Sequence, residues 1–154
     1  MKTTTPKYMA VQGAALLIAC VFLTVGGLGF IPGVTTDYEL LQWAGHQPGA
    51  KLFGVFAVSG LHNVVHLTFG VVGLMLSRSY AEARAYLLGG GLAYLALWVG
   101  AIFIDHSRAN VGPVHGADHW LHFGLGGAMV LLGLTLAGQR DPTKHISRRK
   151  SQPR

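Results

Sequence analysis

The chain has 154 residues, of which 51% are hydrophobic and only 12% are charged, a composition typical of membrane proteins. The net charge of +6 does not predict nucleic-acid binding, because most of the excess cations flank apolar segments and no aromatic residues interleave with them. The single cysteine excludes an intramolecular disulfide, and the absence of a Cys-x-x-Cys-His motif excludes covalent haem attachment.

Four apolar segments follow one another, each about long enough for a helix to cross the roughly 30 Å hydrocarbon core of a bilayer. They are Tyr8 to Phe30, Leu52 to Leu76, Ala85 to Ile104, and Asp118 to Ala137. Because an open sheet would leave backbone amides unpaired in lipid, we expect helices. The predicted fold class is therefore all-α, a four-helix transmembrane bundle formed by residues 1–138.

The first span contains the string Leu17-Ile18-Ala19-Cys20, which resembles the lipid-attachment box of bacterial lipoproteins. The chain stays apolar from Val21 to Phe30, whereas a signal peptide is followed by polar mature sequence. We therefore expect an uncleaved span with Cys20 as a small buried residue.

The first connection, Ile31 to Lys51, begins with the helix-stopping pair Pro32-Gly33. Its apolar residues have spacings compatible with a short helix on the membrane surface: Tyr38, Leu40, Leu41 and Trp43. An ordered loop with aromatic anchors is the alternative.

Basic residues near the span ends predict the orientation of the bundle. Those on one side are Lys2, Lys7, Arg78, Arg84 and the cluster after Gly138, and those on the other are Lys51 and Arg108. The bias places both termini and the connection between Arg78 and Arg84 in the cytoplasm. Residues 139–154 form a basic tail that we expect to be disordered and attracted to anionic lipid head groups.

The second and fourth spans share a weak repeat, in which His66-Leu67-Thr68-Phe69-Gly70 aligns with His122-Phe123-Gly124-Leu125-Gly126. Both spans run in the same direction, so the bundle is interpreted as two related two-helix halves. The matched positions are few, and chance similarity is the alternative.

Histidines interrupt two of the spans, in the segments Leu61–His66 and Ala117–His122. An ionisable group is costly in hydrocarbon, so such residues usually face the bundle interior and are functional candidates. His62 and His66 share one helix face, with Asn63 on its flank. The ideal helix rise predicts His62 and His122 at nearly equal depth, with His66 deeper.

Three interpretations of these residues remain open. In the favoured one they form a cofactor-free hydrogen-bond network, in which Asp105 or Asp118 accepts from an imidazole and Asn63 bridges. His106 and His119 then lie at its outer mouth. The protein would be a small membrane module or accessory subunit, with a membrane protein or a second copy as partner.

In the second interpretation the cluster holds a cofactor. His62 and His122 would be the axial ligands of a b-type haem, or a transition metal would bind to a subset of His62, His66, Asp118 and His122. In the third interpretation the same chain of groups relays protons or a small solute. Enzymatic activity is not predicted, because Ser59 lacks the partner acid and oxyanion hole that a nucleophile needs.

Four motifs in order are similar to those of a known family: Gly29-Phe30-Ile31-Pro32-Gly33-Val34, Leu61-His62-Asn63-x-x-His66-Leu67, Ile104-Asp105-His106, and Ala117-Asp118-x-Trp120-Leu121-His122. The chain resembles an uncharacterised family of small four-helix bacterial membrane proteins, frequent in actinobacteria and catalogued as a domain of unknown function. The resemblance extends from the first span to Gly138 and implies four spans, but no reaction, substrate or cofactor. The family pattern has Asn where this chain has His119, which implies that His119 is a less essential ligand than His62, His66 and His122.

Overall fold

The structure, a computed structural model, describes residues 9–44, 49–106 and 117–136, with side chains described outside residues 101–119. Helices dominate this part of the chain, so the predicted all-α class is confirmed. The helices are α1 (Ala10–Leu28), α2 (Gly60–Leu76), α3 (Tyr80–Ala85), α4 (Gly91–His106) and α5 (Ala117–Thr135). A π-helical turn, Tyr86–Gly90, joins α3 to α4, so residues 80–106 form one continuous helical segment.

Helix α2 begins at Gly60, and the prediction that it begins at Leu52 is wrong. Backbone angles of φ 53° at Phe53 and φ 71° at Gly54 turn the chain back on itself. The Ser59 hydroxyl then caps the helix by accepting a hydrogen bond from the His62 amide at 3.2 Å. Hydropathy alone does not detect a turn and a cap inside a continuous apolar run.

In the described residues of the connection before α2 there are three short antiparallel strands, in the order β1 (Thr35–Thr36), β2 (Lys51–Leu52) and β3 (Phe56–Ala57). Between β1 and β2 lies the three-residue 3-10 helix Tyr38–Leu40 in place of the surface helix, so the ordered-loop alternative describes residues 31–44. Ala50, Leu52 and Val58 form a small core packed against the C-terminal end of α1. We call residues 31–44 and 49–58 the cap.

Backbone hydrogen bonds fix the cap to the first turn of α2. The Gly60 amide donates to the Gln42 carbonyl at 2.9 Å, and the Leu61 amide donates to the Trp43 carbonyl at 2.8 Å. These bonds satisfy two of the amides that a helix N-terminus otherwise leaves without partners. The cap is therefore held against the end of α2 that carries His62.

Glycines allow α1 and α2 to pack closely. A Cβ added at Gly26 would lie 2.8 Å from the Asn63 carbonyl oxygen, and one added at Gly70 would lie 2.5 Å from Leu23 Cγ. Membrane helices commonly gain packing contacts in this way. Helices α4 and α5 form the other extensively packed pair.

The outward face of α2 is apolar, whereas its inward face consists of small and polar residues. On α2 the buried residues are Gly60, Asn63, His66, Gly70 and Gly73. The exposed hydrophobic residues of the same helix are Leu61, Val64, Val71, Val72 and Met75. This distribution is the reverse of that in an amphipathic helix of a soluble protein.

Helix α1 is long and apolar enough to cross a bilayer, with a mean hydropathy of 2.1. Within the described residues, Gly60–Leu76 and Trp120–Thr135 are apolar but shorter. Cys20 lies on the exposed face of α1, so the prediction of a buried cysteine is wrong. Its neighbour Ala19 faces inward and is fully buried, which leaves the next position on the outside of the helix.

Candidate functional site

Imidazole rings from α2 and α5 meet in one cluster, which consists of His62, His66 and His122. The rings of His62 and His66 stack with centroids 4.3 Å apart. The His122 ring contacts the His62 ring edge-to-face at 5.4 Å and lies 6.2 Å from the His66 ring. One ring nitrogen from each histidine lies within 4.8 Å of the other two.

The histidine cluster lies near the end of the bundle that the cap covers. His62 is the third residue of α2, and His66 follows one turn deeper. His66 is 4% exposed, whereas His62 and His122 are half-buried. The cluster therefore has a buried inner member and two members nearer the surface of the bundle.

Two hydrogen bonds hold the His66 ring. Its Nδ1 lies 2.9 Å from the His62 carbonyl oxygen, and its Nε2 lies 3.0 Å from the Tyr94 hydroxyl. Because a carbonyl only accepts, Nδ1 carries the proton, and the neutral ring then has a lone pair on Nε2. We therefore assign the Tyr94 hydroxyl as the donor to Nε2.

Tyr94 is the member of the site that sequence reasoning missed. It lies on α4, is 2% exposed, and stacks on the His122 ring at 5.0 Å with an interplanar angle of 27°. Its position near the middle of an apolar span could have identified it, because a buried tyrosine hydroxyl usually has a hydrogen-bond partner. Tyr94 thus contacts histidines of both α2 and α5.

Aromatic rings close the inner side of the cluster. Phe22 of α1 is fully buried and lies 5.4 Å from the His66 ring and 5.3 Å from the Tyr94 ring. Phe69 lies one turn below His66 and 6.0 Å from the Tyr94 ring. Farther from the cap than these rings, the Tyr86 hydroxyl donates to the Phe69 carbonyl at 3.2 Å. The polar cluster is therefore bounded by apolar packing on the side away from the cap.

Asn63 faces α1 instead of bridging the imidazoles. It is fully buried, and a Cβ at Gly29 would overlap its side-chain amide. In the described part of the chain neither its amide oxygen nor its amide nitrogen has a hydrogen-bond partner. The prediction that Asn63 bridges the network is wrong, because close packing of α1 directs this side chain toward Gly29.

The other predicted network residues are Asp105, His106, Asp118 and His119. Their side chains lie outside the described residues, so their roles as network members, and that of Asp118 as a metal ligand, stay predictions. Of the four candidate metal ligands, the structure brings together His62, His66 and His122.

Comparison with known proteins gives a family but no characterised relative. No curated protein and no solved structure matches the chain. A family model described as "Domain of unknown function (DUF4383)" matches residues 12–135, a segment that includes the three histidines and Tyr94. This match confirms the resemblance found in the sequence motifs. The chain belongs to the DUF4383 family.

Proposed function

We propose that the protein spans the bacterial cytoplasmic membrane four times and that its histidine cluster binds a transition metal ion. Support for the membrane location comes from the exposed apolar faces, since soluble monomers rarely present apolar patches of more than a few hundred Å². Exposed leucines occur on every long helix, including Leu17, Leu61, Leu97 and Leu131. Residues 80–106 would extend about 40 Å and α5 about 29 Å at the α-helical rise, enough to cross the hydrocarbon core.

The observation that carries the metal proposal is the convergence of three imidazoles from two helices. Imidazole nitrogen is a good ligand for zinc, copper, nickel and iron. Neighbouring ligand atoms of a tetrahedral zinc ion lie about 3.3 Å apart, given metal–nitrogen bonds of roughly 2.0–2.1 Å. The ring nitrogens within 4.8 Å of one another need to move by only about 1–2 Å to reach this geometry.

The surroundings of His66 match those of a metal ligand. A ligating imidazole almost always donates its second ring N–H to a carboxylate, a backbone carbonyl or water, which fixes the tautomer. His66 makes this bond to the His62 carbonyl. Its Nε2, whose lone pair accepts the hydrogen bond from Tyr94, is thereby the atom with which His66 would bind an ion.

A metal ion fits the geometry better than haem does. The His62 and His122 rings are in edge-to-face contact, with His66 stacked on the first ring and Tyr94 on the second. A porphyrin could enter between them only if α2 and α5 moved apart. The relay is also less favoured, because Phe22 and Phe69 form an apolar floor below the cluster.

The hydrogen-bond network remains the second candidate. The bond between His66 and Tyr94 links α2 to α4 and would stabilise the packing of the bundle without any ion. This function predicts a metal-free protein.

Metal analysis separates the two functions. The protein is produced in metal-supplemented medium with a tag that contains no histidine, purified in detergent, and measured by elemental mass spectrometry. We expect about one zinc, copper or nickel ion per chain, lost in His62→Ala, His66→Ala and His122→Ala. His145→Ala, which removes a histidine from the predicted tail, is the matched control and should keep the ion. A metal-free wild type that also fails to bind added Zn²⁺, Cu²⁺ or Ni²⁺ would leave the network as the function.

The membrane location is tested with the single cysteine. Cys20 lies on the outside of α1, so a charged maleimide would label it in water but not in lipid. We expect labelling of Cys20 only after intact membranes are dissolved in SDS. Gln42→Cys in a Cys20→Ser background, on the exposed surface of the cap, should be labelled from outside intact cells. Labelling of Cys20 in intact membranes would contradict the spanning helix, and labelling of the cap only in opened cells would reverse the orientation.

A further inference from the structure

We infer that the Tyr94 hydroxyl oxygen is the fourth ligand of the ion, which gives the centre three nitrogen donors and one oxygen donor. This inference rests on the proposed metal site. Tyr94 comes from α4, so the ion would join three helices, whereas the histidines alone join α2 and α5.

The position of the hydroxyl oxygen matches that of a ligand. It lies 3.0 Å from His66 Nε2, close to the separation of about 3.3 Å between two ligands of one tetrahedral ion. The Tyr94 ring also stacks on His122 at 5.0 Å. An ion bound to His66 and His122 would therefore be within reach of the phenol oxygen.

Packing holds Tyr94 in this position before any ion binds. The ring is 2% exposed and contacts Phe22 edge-on at 5.3 Å and Phe69 at 6.0 Å. The hydroxyl cannot turn to another partner unless these rings repack. A ligand whose position is fixed by packing loses little conformational freedom when it binds.

Charge also favours tyrosine as the fourth donor. Three neutral imidazoles leave both positive charges of a divalent ion uncompensated in an apolar interior, which is energetically costly. Among the residues whose side chains the structure describes, the metal-binding cluster contains histidines and no carboxylate. Phenolate binding would halve the net charge of the centre.

The binding step is balanced without a redox partner. The phenol O–H bond breaks, an oxygen–metal bond forms, and the proton leaves to water. The hydrogen bond from Tyr94 to His66 is replaced by one bond from each residue to the ion. The oxidation state of the metal does not change.

Copper titration of the detergent-purified protein tests the assignment, with Cu²⁺ as the probe. Phenolate bound to Cu²⁺ gives a visible charge-transfer band and resonance Raman modes of tyrosinate. We expect both signals in the wild type, and neither in Tyr94→Phe, which should bind Cu²⁺ roughly tenfold more weakly or worse. Tyr94→His, which supplies a different fourth ligand, should restore the affinity without the band.

Tyr86→Phe is the matched control. Tyr86 is also a buried tyrosine with a hydrogen-bonded hydroxyl, but it contacts the Phe69 carbonyl instead of the cluster. This variant should keep the band and the affinity of the wild type. If Tyr94→Phe does not fold, ring-deuterated tyrosine in the wild type must still shift the Raman modes.

The outcomes distinguish the inference from the proposed function. Copper binding that needs the histidines but shows no phenolate signal in the wild type would overturn the assignment of Tyr94 and leave the metal site intact. Equal affinity and an unchanged band in Tyr94→Phe would do the same. A wild type that binds no Cu²⁺ would contradict both.

Discussion

Buried polar side chains on two faces of α2 differ in whether they form hydrogen bonds. Toward α4 and α5, His66 uses both ring nitrogens in hydrogen bonds and stacks on His62. Toward α1, Asn63 is equally buried, yet its amide has no partner in the described part of the chain and packs against Gly29. The distinction is between a face organised by polar contacts and a face organised by close packing of backbones.

This difference indicates separate tasks for the two faces. We call the side of α2 that packs against Gly26 and Gly29 the glycine face, and the side with His62 and His66 the histidine face. On the glycine face α1 and α2 are so close that no atom can be added between them. This packing fixes the rotation of α2 about its axis. That rotation directs His62 and His66 toward α5. We therefore predict that changes to the histidines alter metal binding directly, whereas changes to the glycine contacts mainly alter the free energy of unfolding and reach the metal site only through the rotation of α2.

Addition of a metal ion should raise the free energy of unfolding through the histidines of α2 and α5. An ion that binds only the folded protein stabilises it by about 2.7 kcal/mol at 100 times its dissociation constant. Thermal unfolding in detergent with and without Zn²⁺ should show this gain in the wild type and none in His66→Ala. An equal gain in His66→Ala would show that the ion binds elsewhere and that the two faces of α2 do not differ in this way.

On the glycine face, Gly26→Ala should destabilise the protein by about 1–3 kcal/mol. The added methyl group would meet backbone atoms of α2, including the Asn63 carbonyl oxygen at 2.8 Å, and backbone cannot move aside as a side chain can. The measurement is the free energy of unfolding in detergent.

Gly27→Ala is the control for this change, because a Cβ there meets nothing within 4 Å. It should be neutral or slightly stabilising, since alanine has the higher helix propensity. Equal losses in the two variants would show that α1 and α2 do not pack through Gly26. The gain on adding Zn²⁺ should persist in Gly27→Ala.

A matched pair on one helix tests the polar contacts directly in metal-free protein. Asn63→Leu removes an amide without partners and should be neutral or stabilise by up to about 1 kcal/mol. His66→Leu leaves the buried Tyr94 hydroxyl without its acceptor and should destabilise by roughly 1 kcal/mol. Both free energies come from unfolding curves, and a clear loss in Asn63→Leu would show that the amide has a partner.

The sequence predicted that the histidines converge, but it did not predict which other side chains contact them. A separation of four residues places His62 and His66 on one face, and counting the helix rise places His122 at the level of His62. Tyr94 was missed because tyrosines in membrane helices also mark the interface with water, and sequence does not distinguish the two uses. The orientation of Asn63 depends on how closely α1 approaches, which no local pattern encodes.

The helix ends show the same limit. Ser79-x-x-Glu82 has the sequence of a capping box, and the Ser79 hydroxyl accepts a hydrogen bond from the Glu82 amide at 3.3 Å, which explains why α3 begins at Tyr80 and not at the predicted Ala85. A hydropathy window ignores such polar signals. The same window extended α2 back to Leu52, across the turn at Phe53 and Gly54.

Loss of the N-cap of α2, Ser59, should have only a minor effect on stability. Ser59→Ala should lower the free energy of unfolding by about 0.5 kcal/mol, which is at the low end for loss of an N-cap. The loss is small because the amides of Gly60 and Leu61 keep their hydrogen bonds to the carbonyls of Gln42 and Trp43. The freed amide belongs to His62, so the first turn of α2 should loosen and Cu²⁺ affinity should fall severalfold.

Ser79→Ala removes the equivalent N-cap of α3, away from the cluster, and should lose similar stability with unchanged Cu²⁺ affinity. Unfolding curves and copper titrations of both variants measure the two effects. Equal copper affinity in both variants would mean that contacts with α5 and stacking on His66 fix the position of His62. The hydrogen bond from the Ser59 N-cap would then not be needed to position this ligand.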